Sequence, residues 1–157
     1  MEVEKAFNLN LLPRYSRLSR PQTDALSGKI YRSAQAGDID TLLSTIKGVL
    51  AEAPVESTDE RVIELNYRNL IAIALRMSGL DCHIERPTSA GRIDLALETD
   101  NHVYIMEFKR TSVEAAARQI TERAYADRYI NDTRQVIKLA IELDDTVRNI
   151  SRWQVVE

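Results

Sequence analysis

Two carboxylates and a lysine stand out by their spacing: Asp94, then Glu107 and Lys109 with one residue between them. They lie in Gly91-Arg-Ile-Asp-Leu-Ala-Leu-Glu98 and Val103-Tyr-Ile-Met-Glu-Phe-Lys109, two apolar runs separated by Thr99-Asp-Asn-His102. Asp100-Asn101 suits a tight hairpin turn, because both residues tolerate left-handed backbone angles. With that turn, Thr99 faces His102, and counting back sets Asp94 opposite Glu107. Side chains alternate along a strand, so Asp94, Glu107 and Lys109 share one face with Ala96, Val103 and Ile105. Charges on an apolar sheet face are costly unless they are paired or used.

Two neighbouring carboxylates repel each other, and burial raises one pKa unless a cation neutralises the pair. Lys109 supplies one positive charge; a divalent ion supplies more. Mg²⁺ or Mn²⁺ takes oxygen ligands, typically one or two carboxylates with waters and substrate phosphate. Such an ion lowers the pKa of a bound water and stabilises charge on a phosphoryl oxygen, while a lysine orients the water or offsets developing charge. Asp94, Glu107 and Lys109 are thus the minimum for metal-assisted phosphodiester hydrolysis, with the backbone carbonyl of Phe108 as a further ligand. The competing reading is a salt-bridged surface hairpin. Against it, the flanking Ile93, Leu95, Ile105 and Phe108 predict that both faces of the sheet are covered.

The elements that must position this set are legible as patterns. Pro21 starts a helix to about Ala36, ended by Gly37; Asp38 caps a second, with Ile39, Leu42, Leu43, Ile46, Val49 and Leu50 as its stripe and Pro54 beyond it. Thr58 or Asp59 caps a third, Glu60 to Met77, with Val62, Ile63, Leu70, Ile71, Ala74, Leu75 and Met77 apolar and Glu60, Glu64, Tyr67 and Arg68 on a more polar strip. Cys82 to Arg86 reads as a short strand and Pro87 to Gly91 as a turn before the central hairpin. Thr111 or Ser112 caps a long helix from about Val113 to Tyr129, in which Gln119 shares the face of Ala115 and Ala116. Gln135 to Leu143 and Trp153 to Val156 complete the strands. The pattern is a mixed α/β domain.

The whole chain of 157 residues, 44% hydrophobic and 29% charged, suits a single domain: an arm and helical hairpin over 1–57 and a core over 58–157. The single Cys82 excludes an intramolecular disulfide and agrees with a reducing compartment. No signal peptide or bilayer-spanning stretch is evident, so the expected location is cytoplasmic and no membrane partner is expected. A net charge of −3 provides no general attraction to nucleic acid. Phosphate contacts would need a local basic patch or metal ions; Arg14, Arg17 and Arg20, among Leu11, Leu12, Tyr15 and Leu18, read first as an arm that packs its leucines on the domain and second as a basic strip that touches phosphate. The two histidines and one cysteine are too few and wrongly spaced for zinc, and no glycine-rich phosphate loop exists.

Topology and the Asp94 … Glu107-Phe108-Lys109 arrangement resemble the PD-(D/E)xK nuclease superfamily, whose restriction-endonuclease-like core is αβββαβ with a mixed sheet. Gly91-Arg-Ile-Asp-Leu, Val103-Tyr-Ile-Met-Glu-Phe-Lys, Ala117-Arg-Gln-Ile and Tyr125-Ala-Asp-Arg-Tyr129 are similar to the nuclease-like domain that follows AAA-ATPase-like modules in bacterial proteins. Ala36-Gly-Asp-Ile-Asp40 and Tyr67-Arg-Asn-Leu70 extend the resemblance over roughly 33–155. It implies Asp94 and Glu107 as ligands of Mg²⁺ or Mn²⁺, Lys109 as the catalytic lysine, Gln119 as a supporting polar residue and Glu64 as a further ligand from the first core helix. It also implies DNA as substrate, with Arg92 and Arg110 as nucleic-acid contacts, an ATPase-like module in cis or trans, and a homodimer where both strands are cut. The chain departs from the family at Ile93, in place of the proline of the name, and at Arg68, where a histidine is expected. Two other readings stand beside the nuclease: a catalytically silent nuclease-fold domain that binds nucleic acid or protein, and an interaction module with a structural charged hairpin.

Overall fold

The computed structural model describes residues 19–51, 59–110, 112–144 and 149–157. The expected arm with Arg14 and Arg17, the caps Thr58 and Thr111, and Pro54 lie outside the described residues, as do the side chains of Arg20, Glu60 and Ile63. The chain divides into two compact units, Met1–Asp81 and Cys82–Glu157.

The first unit contains three helices that pack on one another: α1 (Arg20–Ala36), α2 (Ile39–Ala51) and α3 (Glu60–Met77). Ser19 caps α1 in a reciprocal box with Gln22, and Gly37, at φ 73°, turns the chain out of it. The Asp38 carboxylate accepts the Thr41 N–H at 3.1 Å and so caps α2, whose Leu42, Leu43, Ile46, Val49 and Leu50 are buried as their spacing predicts. Asp59 accepts the Arg61 N–H at 2.9 Å at the start of α3. Two side chains of α3 depart from expectation. Tyr67, read as part of a polar strip, is 0% exposed; it stands one turn before the buried Ile71 and extends the same stripe. Val62, read as apolar stripe, is 40% exposed.

The second unit is a five-stranded sheet in the order β1-β2-β3-β4-β5, formed by Asp81–Thr88, Gly91–Glu98, His102–Lys109, Gln135–Asp144 and Asn149–Val156. The β2–β3 and β4–β5 pairs are antiparallel and the β3–β4 pair is parallel. A parallel pair needs a crossover, and α4 (Val113–Glu122) with a short 3₁₀ helix (Tyr125–Tyr129) provides it. The result is the mixed sheet of a restriction-endonuclease-like fold, with the element order αβββαβ followed by a last strand. Ala96, Val103 and Ile105 meet Val113, Ala116 and Ile120 of α4 and Tyr125 and Tyr129 in one core. Leu95, Met106 and Phe108 are also fully buried. No helix among the described residues is long and apolar enough to cross a membrane.

Three boundaries differ from the sequence expectation. β1 does not stop at Arg86 but continues through Pro87 to Thr88, and the turn shrinks to Ser89-Ala90. Proline is tolerated there because β1 is an edge strand, where one side of the ladder has no neighbour to receive its missing N–H. β5 starts at Asn149 rather than Trp153. The helix expected to reach Tyr129 ends at Glu122; the chain turns through Ala124, at φ 46°, before the 3₁₀ segment. That turn buries Tyr125 and Tyr129 against the sheet, a gain a straight helix would forgo.

Ser112 starts α4 by accepting the Ala115 N–H at 3.0 Å, and Glu142 of β4 accepts the Val113 N–H at 2.9 Å. Ser112→Ala should therefore lower stability by about 1 kcal/mol, since one orphan donor loses its acceptor while Glu142 retains the other. Thermal unfolding measures this as a drop of several degrees; an unchanged midpoint would show that the cap is dispensable.

Candidate active site

The hairpin pairs Leu95 with Met106, Ala96 with Ile105, Leu97 with Tyr104 and Glu98 with Val103, and the Thr99 N–H donates to the His102 carbonyl at 2.9 Å. This is the register that the two-residue turn predicts, and continuing it sets Asp94 beside Glu107. The Asp94 carboxylate accepts the Phe108 N–H at 3.0 Å, which ties it to the backbone between Glu107 and Lys109. Lys109 Nζ lies 3.7 Å from Glu107 Oε1. From α4, the Gln119 amide donates to the same Glu107 oxygen and, at 3.3 Å, meets the Tyr125 hydroxyl. Four residues singled out by sequence, Asp94, Glu107, Lys109 and Gln119, are thus one connected set, with Phe108 between two of them.

Electrostatically, Glu107 is the extreme member. It is 0% exposed, and burial first, then the charge of Asp94, push its carboxyl up to about 8, against the opposing pull of Lys109. Its second oxygen, Oε2, is buried without a hydrogen-bond partner among the described residues. A buried carboxylate oxygen without a hydrogen-bond partner is costly, and the charge of the neighbouring Asp94 adds to that cost. Such an all-oxygen donor set fits a hard divalent cation, which would satisfy the orphaned oxygen and offset the two negative charges together.

The other sequence candidates are placed less centrally. Arg92 is exposed and lies 3.8 Å from Glu85. Arg110 is half-buried just past the end of β3. Glu64 is half-buried on α3, in the first unit.

Tyr125 belongs to the site and escaped the sequence reading. Its hydroxyl is held above the usual value, by burial first, with Glu107 and Asp94 adding to the rise. In an unbroken helix, Tyr125 would stand six residues from Gln119, about 120° away around the axis. Only the turn at Ala124 brings its ring back to the glutamine. Gly91, at φ 147° in a region that other residues rarely adopt, lies beside it: a Cβ there would come 3.7 Å from both the Tyr125 hydroxyl and Arg123 Nη1. The glycine before Arg92-Ile-Asp94 is therefore where the tyrosine ring and the strand approach closely.

Among curated proteins the chain is similar to an uncharacterized protein in the vnfD 5′ region of Azotobacter chroococcum mcd 1, with 29% identity over 157 aligned residues and 96% of this chain covered. It spans 30% of that relative's length. No solved structure matches. A family model, the PD-(D/E)XK nuclease superfamily, matches residues 62–153. That stretch is well over half of the chain, runs from α3 into β5 and takes in the carboxylate hairpin together with Gln119, so the chain belongs to the PD-(D/E)XK nuclease superfamily.

Proposed function

We propose that this chain hydrolyses phosphodiester bonds of nucleic acid, DNA first, with Mg²⁺ or Mn²⁺ held by Asp94, Glu107 and the Phe108 carbonyl. The observation that carries the reading is the buried, donorless oxygen of Glu107 next to Asp94. When bound, the ion supplies Lewis acidity and a water of lowered pKa. Asp94 is pre-oriented by the Phe108 N–H, so its position is set before anything binds. Gln119 holds Glu107 from the helix side and is itself held by Tyr125. Lys109, with its side chain 32% exposed, reaches from the buried carboxylate toward solvent, where it can orient a water and offset charge on a phosphoryl oxygen. Arg92 and Arg110 serve as backbone contacts in this reading.

The decisive experiment is calorimetric titration of Mn²⁺ into the wild type and Glu107→Ala, with plasmid nicking on the same samples. Binding and nicking in the wild type, both lost in the variant, are the expected result. A wild type that neither binds metal nor nicks would sink the enzymatic reading. Binding without nicking would favour the second reading, a silent nuclease-fold domain that binds nucleic acid or protein; the net charge of −3 is the feature on its side. An ATPase-like module in cis or trans belongs to the same proposal. A homodimer would supply two sites for cutting both strands.

A further inference from the structure

Arg123 and Arg128, on the segment that follows α4, donate to backbone carbonyls at and beside the β1–β2 turn: Arg123 to Ala90 of the turn at 3.0 Å and Arg128 to Pro87 near the end of β1 at 2.7 Å. Both side chains are exposed. A carbonyl orients a guanidinium but does not neutralise it. Among the described residues, neither arginine pairs with a carboxylate, whereas the neighbouring cations do: Arg86 and Arg134 with Glu98, and Arg92 with Glu85. Two positive charges without a carboxylate partner among the described residues, each oriented by a carbonyl, thus stand beside the β1–β2 connection. Arg123 adjoins the candidate site, because its Nη1 and the Tyr125 hydroxyl flank the same point at Gly91, and that hydroxyl meets Gln119.

We propose that Arg123 and Arg128 form a phosphate clamp that grips the backbone of the nucleic-acid substrate beside the Asp94–Glu107 pair. This rests on the nuclease reading above and assigns the residues that hold its substrate. Each guanidinium has five N–H donors; Arg123 spends one on a carbonyl, and Arg128 one on a carbonyl and one on the Tyr129 hydroxyl, so each keeps N–H groups that can take a phosphate. The carbonyl bonds remove the rotamer freedom that a surface arginine would otherwise lose on binding. A cationic wall beside the Asp94 carboxylate supplies the local attraction that the acidic chain as a whole lacks.

The test is fluorescence anisotropy of a labelled duplex oligonucleotide with the full chain, at a series of NaCl concentrations and with EDTA to prevent cleavage. Arg123→Gln/Arg128→Gln should make the slope of log K against log [NaCl] shallower by about 1.8, at about 0.9 for each phosphate no longer neutralised, with an unchanged thermal midpoint. Arg123→Lys/Arg128→Lys should keep the wild-type slope, because it keeps the charge. If the double glutamine variant does not fold, the single variants should each make the slope shallower by about 0.9. A wild-type slope in the glutamine variants would overturn the clamp and leave the arginines as braces of the turn, with the nuclease reading intact. A wild type that does not bind the duplex at any salt would overturn the clamp and the nucleic-acid substrate together.

Discussion

Lys109→Ala is expected to lower phosphodiester cleavage by about 10²–10³-fold at every pH, the scale of losing one pre-positioned charge-stabilising group. Its effect on metal binding should be different in kind. The Lys109 ammonium is 3.7 Å from Glu107 and is the group that opposes the rise of that carboxyl. Without it Glu107 holds its proton more tightly, so ion affinity falls near neutral pH and returns once the pH is high enough to ionise the glutamate. Cleavage does not return with it, because the water-orienting cation is still missing. Isothermal titration with Mn²⁺ and single-turnover cleavage, each run from about pH 7 to about pH 9, separate the two effects. Wild-type cleavage in the variant would remove Lys109 from the chemistry; cleavage that recovers in step with metal affinity would reduce it to a regulator of Glu107.

The second large effect is the pH dependence of the metal-free protein. The Glu107 carboxyl ionises near 4.5 in an ordinary setting and at about 8 in the fold. Between those values the folded state holds a proton that the unfolded chain releases, so stability is greatest below about pH 4.5 for this group and declines as pH rises toward 8. The slope approaches about 1.4 kcal/mol per pH unit, and the whole window is on the order of a few kcal/mol. Glu107→Gln has no proton to lose. It should flatten this part of the profile and exceed the wild type in metal-free stability at alkaline pH, while binding no divalent ion. In the wild type, an ion that takes Glu107 must displace the proton. Affinity should therefore weaken about tenfold for each pH unit below 8, with about one proton released per ion. Urea unfolding across the window, and calorimetry in buffers of different ionisation heat, measure the two quantities. Affinity that is flat with pH would mean that Glu107 is not a ligand.

These effects could be anticipated from the sequence because of one local feature. A two-residue turn at Asp100-Asn101 leaves no freedom of register, and a strand alternates its faces, so Asp94, Glu107 and Lys109 had to share a face with Ala96, Val103 and Ile105. Helix ends were equally local: Asp38, Asp59, Ser112 and Gly37 act within a few residues of themselves. The family resemblance added the roles, and the matched stretch, residues 62–153, carries Asp94, Glu107, Lys109 and Gln119, while Ala36-Gly-Asp-Ile-Asp40 lies outside it.

What the chain could not disclose depended on contacts between distant segments. Thr121-Glu122-Arg123-Ala124 has nothing that forbids a helix, and only the burial of Tyr125 and Tyr129 against the sheet ends it there. The same break makes Tyr125 a partner of Gln119 and leaves Arg123 and Arg128 on carbonyls at the end of β1 and in the turn after it, some 30 to 40 residues earlier. Tyr67 reads as amphipathic until its neighbours cover it, and Pro87 reads as a breaker until its strand proves to be an edge. Turn geometry and strand alternation are set by bonds along the chain, and so the carboxylate pair was written in the sequence. Burial, charge compensation and the place where a helix yields to packing are set by what lies across space, and only the folded chain decides them.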